Sequence, residues 1–140
     1  STLAALAAVP GAVGVNNHMG SGLSADETSM STILGVLSVR HLFFLDSRTS
    51  VQSVGYRIAT ELGIPAAERQ VFLDDDQRPE AIHAQFQRLL DLSRTRGGAI
   101  AIGHPHAATL AALAEEVPRA KADGFHFVQV SQLLDRPVRR

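Results

Sequence analysis

The chain has 140 residues, 45% of them hydrophobic and 19% charged, with a formal net charge of -1 from 13 basic and 14 acidic side chains. This composition describes a globular protein of about one domain and excludes a disordered chain, while the balanced charge excludes the basic footprint of a nucleic-acid or anionic-membrane binder. The absence of cysteine excludes disulfides and thiolate metal sites, and no apolar run reaches the ~20 residues of a membrane-spanning helix.

Ser1 to Val9, with Leu3 and Leu6 among alanines, reads as a short helix stopped by Pro10-Gly11. Ala12 to Asn16 reads as a strand that runs into Asn16-Asn17-His18, as a buried parallel strand does when it carries polar side chains at its carboxyl end. Gly20 to Gly22 reads as a loop. Ser24 and Glu27 match a capping box and open a helix with Met30, Ile33, Leu34 and Leu37 on one face. Leu42 to Leu45 is the second strand, ending in Asp46-Ser47-Arg48-Thr49-Ser50. Ser50 to Leu62 reads as a helix, with Val51, Val54, Ile58 and Leu62 on one face and Gly63 as its stop. Val71-Phe72-Leu73 is the third strand, followed by Asp74-Asp75-Asp76. A helix runs from Arg78 or Pro79 to about Arg96, with proline in its first turn and Gly97-Gly98 past its end. Ala99 to Gly103 is the fourth strand, ending in His104-Pro105-His106. Ala107 to Glu116 is a helix, Phe125 to Val130 a fifth strand, and Ser131 to Leu134 a short helical turn before a loose tail.

Strand and helix alternate, so the expected fold class is α/β, with parallel strands and right-handed helical crossovers. No linker or low-complexity block divides residues 1–140, which read as one domain. Five short parallel strands suit an open sheet or half of a β/α barrel. In a half barrel, uncovered apolar edges would call for a partner chain or a second copy.

Ligands of such sheets bind at the carboxyl ends of the strands. His18, Asp46 and His104, though distant in the chain, are therefore expected to meet at one rim. Two imidazoles and a carboxylate suit a divalent ion, with His18 and His104 as metal candidates. A hydrogen-bonded loop histidine is the plainer reading of His18. Asp46 and His104 are the candidate catalytic groups. Arg48 joins them, either clamping a carboxylate or phosphate or holding Asp46. Asn16 and Asn17 either donate to an oxyanion or satisfy strand-end backbone. With Ser21 and Ser47 they form the candidate substrate-binding set. An N-capping segment is the alternative for Ser47, Thr49 and Ser50. Of the three consecutive acids, Asp74 is the one expected to face the site, and His106 could line it. His41, His83 and His126 read as surface or edge residues. No Gly-x-Ser-x-Gly elbow, P-loop or Rossmann fingerprint is present.

The stretches Gly14-Val15-Asn16-Asn17-His18-Met19-Gly20-Ser21, Phe43-Phe44-Leu45-Asp46-Ser47-Arg48-Thr49-Ser50 and Ala101-Ile102-Gly103-His104-Pro105 closely resemble the divergent polysaccharide deacetylases. That family is related to the NodB-type carbohydrate esterases. The resemblance runs from about Ala5 to Leu134. It implies a distorted β/α barrel with a divalent metal, often zinc, at the strand ends, and removal of N- or O-acetyl groups from a polysaccharide. It also implies a periplasmic or cell-envelope location. His18 and His104 match positions of candidate ligands or site histidines, and Asp46 and Arg48 match the strand-end cluster. The family's earlier strand ending in an Asp-Asp pair, and a further strand with its own histidine, are not among these residues. The stretch is therefore expected to correspond to the carboxyl-terminal part of such a domain. The alternatives are a non-catalytic envelope protein that holds glycan or peptide on the same fold, and an unrelated phosphate-binding domain anchored by Arg48.

Overall fold

Helices and parallel strands alternate along residues 1–18 and 20–135, the part described by the computed structural model. Met19 and the expected tail beyond Asp135 lie outside the described residues. The chain gathers into two compact units, Ser1–Glu68 with the chain from Leu134, and Arg69–Leu133.

In the first unit, α1 (Thr2–Ala8), β1 (Gly14–Asn16), α2 (Ser21–Ala25), α3 (Glu27–Val39), β2 (Phe43–Asp46), α4 (Gly55–Glu61) and β3 (Ala66–Glu68) follow in order. The three strands form a parallel sheet in the order β1-β2-β3, with Asn16 opposite Leu45 and Asp46 opposite Glu68. Met30, Leu34 and Leu37 of α3, Phe44 of β2 and Ile58 of α4 are buried together with Ile64 and Ala66. Ser21 to Ala25 is a helical turn, which takes in Ser21 and Gly22 of the loop expected from Gly20 to Gly22. The capping box built on Ser24 does not form either. Ser24 is buried within α2, and Asp26 caps α3 instead, its carboxylate accepting from Ser29 N at 2.7 Å. A carboxylate at that position takes an orphan N–H and opposes the positive end of the helix.

The helix expected from Ser50 begins only at Gly55, because the preceding loop folds back onto Asp46. Gly55 sits where a side chain does not fit. A Cβ there would lie 2.8 Å from Phe44 Cε1 and 3.2 Å from Asp46 Oδ2. Gly55→Ala is expected to destabilise the first unit by about 1–3 kcal/mol, the usual range for overpacking, measured as a lowered urea midpoint. β3 was not expected. Two alanines carry no β-branched signal, yet Ala66 and Ala67 are buried and paired with β2.

The second unit contains β4 (Val71–Phe72), α5 (Pro79–Arg96), β5 (Ala101–Ile102), α6 (Ala107–Ala122) and a 3-10 turn at Val130–Gln132. β4 and β5 are parallel, with Phe72 opposite Ile102. Val71, Leu73, Ile82, Phe86, Leu90, Ala112 and Ala120 form the core. α5 begins with Pro79 and ends at Gly97, whose φ of 80° closes the helix as expected. α6 continues past Glu116 and through Pro118, because Ala120 is part of the buried face. Phe125 to Val130 forms no strand, which corrects the fifth-strand expectation. Its aromatics turn to α5 instead: Phe127 stacks on Phe86 at 6.4 Å, and Arg94 lies 4.7 Å from the Phe125 ring centre. The α/β class with parallel strands is as expected, and no closed barrel forms among the described residues. No helix among them is long and apolar enough to cross a membrane.

Candidate functional site

The strand pairing of the second unit sets its polar cluster. With Phe72 opposite Ile102, two further residues along each strand bring Asp74 opposite His104. The side chain of Asp74 is only 1% exposed. Its Oδ2 accepts from His104 N–H at 2.5 Å and from Thr109 Oγ1 at 2.8 Å, and its Oδ1 lies 2.9 Å from His104 Nδ1. Burial pushes the Asp74 carboxyl up, but the bonds from the His104 ring, the His104 backbone and Thr109 outweigh it and hold the group below the usual carboxylate range. An ionised carboxylate can only accept, so Nδ1 carries the ring hydrogen and Nε2 is the nitrogen able to take a proton. The His104 side chain is 42% exposed.

His106 follows after one proline. Its N–H donates to the His104 carbonyl at 2.8 Å, and the two rings stand 5.7 Å apart. Asp74, His104 and His106 each offer one ligand atom, all within 4.8 Å of one another. A cavity of about 910 Å³ adjoins the cluster, with His104 and Thr109 in its wall and Leu73, Leu113, Phe125 and Phe127 giving it an apolar lining. Asp75 is exposed, and Asp76 is drawn down to about 2 by its bonds from Arg78, just before α5. Thr109 was not foreseen. A lone threonine in the first turn of a helix has no motif, and only its place on the α6 face shared with Ala112, Glu116 and Ala120 marks it as buried.

In the first unit, the ends of β1 and β2 bring Asn16, Asn17, Asp46, Ser47 and Arg48 together. Asp46 has no measurable exposure. It accepts from Arg48 N at 2.9 Å, Asn17 Nδ2 at 3.3 Å, Ser53 Oγ at 2.8 Å and Tyr56 N at 3.0 Å. The Tyr56 bond caps α4 from outside the helix, a part expected of Ser47, Thr49 or Ser50. Asn17 Oδ1 accepts from Ser47 N at 2.6 Å, and Asn16 Nδ2 donates to Ser47 Oγ at 3.1 Å. Arg48 adopts φ 52°, with its guanidinium on the carbonyls of Val51 and Ser53 and 3.7 Å from Glu68. Thr49 Oγ1 is buried without a hydrogen-bond partner. His18 and Ser21 are exposed.

Residues 1–134 match the model of the divergent polysaccharide deacetylase family. The chain is 42% identical over 129 residues to the uncharacterized protein YibQ of Escherichia coli (strain K12), covering 92% of this chain and 40% of that protein. It is 45% identical over 102 residues to an uncharacterized protein of Haemophilus influenzae, covering 73% of this chain and 36% of that one. The crystal structure of the uncharacterized protein ATU2773 from Agrobacterium tumefaciens C58 superposes with a TM-score of 0.84 at 27% identity, over 86% of this chain and 49% of the other. The chain thus spans less than half the length of these relatives. By the extent of the family match, carried on a parallel α/β framework with polar clusters at its strand ends, the chain belongs to the divergent polysaccharide deacetylases.

Proposed function

We propose that the protein is a hydrolase that removes acetyl groups from a polysaccharide or cell-envelope glycan, with Asp74 and His104 as its proton-transfer pair. The buried Asp74 carboxylate on His104 Nδ1 carries this reading. It fixes the imidazole in one tautomer and stabilises the charged ring that forms when Nε2 takes a proton. His104 then receives a proton from the attacking water or delivers one to the leaving amine or alcohol. Asp46 and Arg48, named above as catalytic candidates, are assigned to holding the strand ends and the loop before α4, since their polar atoms engage the protein itself.

One oxygen and two imidazole nitrogens within 4.8 Å form a donor set of the type found in three-ligand zinc sites. Asp74, His104 and His106 would hold a divalent ion, zinc by the family's habit, which would supply polarisation of the acyl carbonyl and acidified water; His104 would bind it through Nε2, so proton transfer by His104 belongs to the ion-free site. The test is acetate release by the full-length protein from acetylated glycans. His104→Ala is expected to lower the rate by roughly 10²–10⁴-fold. Glycan binding without acetate release by the wild-type protein would replace the catalytic reading with the non-catalytic one.

A further inference from the structure

We infer that Thr109 is a positioning residue for His104, its hydroxyl setting the rotation of the Asp74 carboxylate and thereby the tautomer of the imidazole. The inference rests on the proton-transfer role proposed for that histidine.

Rotation of a carboxylate about its last side-chain bond is soft, so the donors around Asp74 decide where each oxygen points. Oδ2 receives two of them, the His104 N–H from the strand end and the Thr109 hydroxyl from α6. These arrive from different elements and leave Oδ1 toward the ring. With the backbone N–H alone, the carboxylate could pivot about that bond and carry Oδ1 away from Nδ1. The hydroxyl closes that freedom. Thr109 is itself 1% exposed, so bulk water is no substitute partner for its hydroxyl.

The hydroxyl is held in turn. A β-branched side chain is stiff about its first torsion. The Thr109 methyl packs against the strand end at Gly103, where an added Cβ would come within 3.3 Å of Thr109 Cγ2, 3.3 Å of Leu73 Cδ1 and 3.5 Å of Asp74 Oδ2. The absence of a side chain at Gly103 thus leaves room for both the threonine and the carboxylate. Through this hydroxyl, helix α6 reaches the Asp74 carboxylate.

Two substitutions separate the hydrogen bond from the packing. Thr109→Val keeps the branched shape and loses the donor; Thr109→Ser keeps the donor and loses the methyl. The readout is the His104 tautomer, taken from imidazole nitrogen NMR of the chelator-treated full-length protein, so that no ion holds Nε2, at alkaline pH, where an imidazole is neutral. The wild-type ring is expected to carry its hydrogen on Nδ1. Thr109→Val is expected to give a mixture with the Nε2–H form, and Thr109→Ser to keep the wild-type spectrum. A purely structural threonine would lower stability and leave the tautomer alone, and an unmoved tautomer in folded Thr109→Val overturns the inference. Should Thr109→Val not fold, Thr109→Ala decides: it also removes the hydroxyl, and an unmixed Nδ1–H form there counts equally against the inference. Where acetate release is measurable, Thr109→Val should lower kcat by ~10–100-fold with KM little changed, the scale of a small misplacement of a reacting group. A tautomer that moves in a protein releasing no acetate removes the hydrolase reading and leaves the positioning role standing. Acetate release with an unmoved tautomer does the reverse.

Discussion

Asp74→Asn is expected to cost the protein roughly 10²–10⁴-fold in the rate of acetate release, the range set by loss of a proton-transfer partner or of its correct tautomer. The substituted side chain fits the same space, and its single oxygen can still accept from His104 N–H and Thr109 Oγ1. What then faces His104 Nδ1 is an amide N–H₂, which only donates. The ring must give up its Nδ1 hydrogen to accept that bond, and the proton moves to the nitrogen that should receive one. The same substitution has a stability signature with a definite sign. The folded Asp74 carboxyl lies below its ordinary value of 3.8, held there by His104 and Thr109 against the upward push of burial. A group depressed on folding contributes stability above its unfolded value, and that contribution is lost as pH falls through the folded one. The wild-type advantage over Asp74→Asn should therefore be complete at neutral pH and shrink in acid below 3.8. Urea unfolding of both proteins at neutral and acidic pH measures this, and an advantage that grew in acid would contradict the pairing.

The pair was half legible in the sequence. Each of its residues follows an apolar run, so Asp74 and His104 could both be placed at strand ends. That they face each other depends on the register of β4 on β5, which is set by packing and not by local pattern. Elements with strong punctuation were legible almost to the residue, as between Pro79 and Gly97. Elements decided by tertiary contact were not. Ser24 has the composition of a cap, but it is buried and bonded to Asn17 while Asp26 takes the cap. Phe125 to Val130 has the composition of a strand, yet Phe127 gains more by stacking on Phe86. Ala66 and Ala67 form a strand without the composition of one, because their place is set by burial and by pairing with β2. At the candidate site, chemically conspicuous residues were found and the quiet one, Thr109, was not.

Asp46→Ala should be the most destabilising change in the first unit, about 3–5 kcal/mol, as expected when a buried carboxylate is taken from several hydrogen-bond donors at once, each bond to a charged group being worth about 1.5–3 kcal/mol. Its carboxylate serves four donors: the Arg48 backbone, the Asn17 amide, the Ser53 hydroxyl and the Tyr56 N–H at the start of α4. Truncation takes this acceptor from all four at once and empties space beside Phe44 and Gly55. Against a typical domain stability of about 5–15 kcal/mol, that loss brings the unit close to unfolding. Hydrogen exchange should show it locally, with the amides of Phe44, Leu45 and Tyr56 losing protection while those of Phe86 and Leu90 in α5 keep theirs. Unchanged protection at Tyr56 would mean that the carboxylate does not hold α4. Asp46→Asn separates structure from chemistry, because an amide keeps one accepting oxygen and most of the volume. A positioning role predicts an intermediate loss of stability with a rate that follows the folded fraction. A full loss of rate in a fully folded Asp46→Asn protein would instead return Asp46 to the reacting groups, and the burial of its carboxylate would then be the means of tuning it rather than of bracing the strand ends.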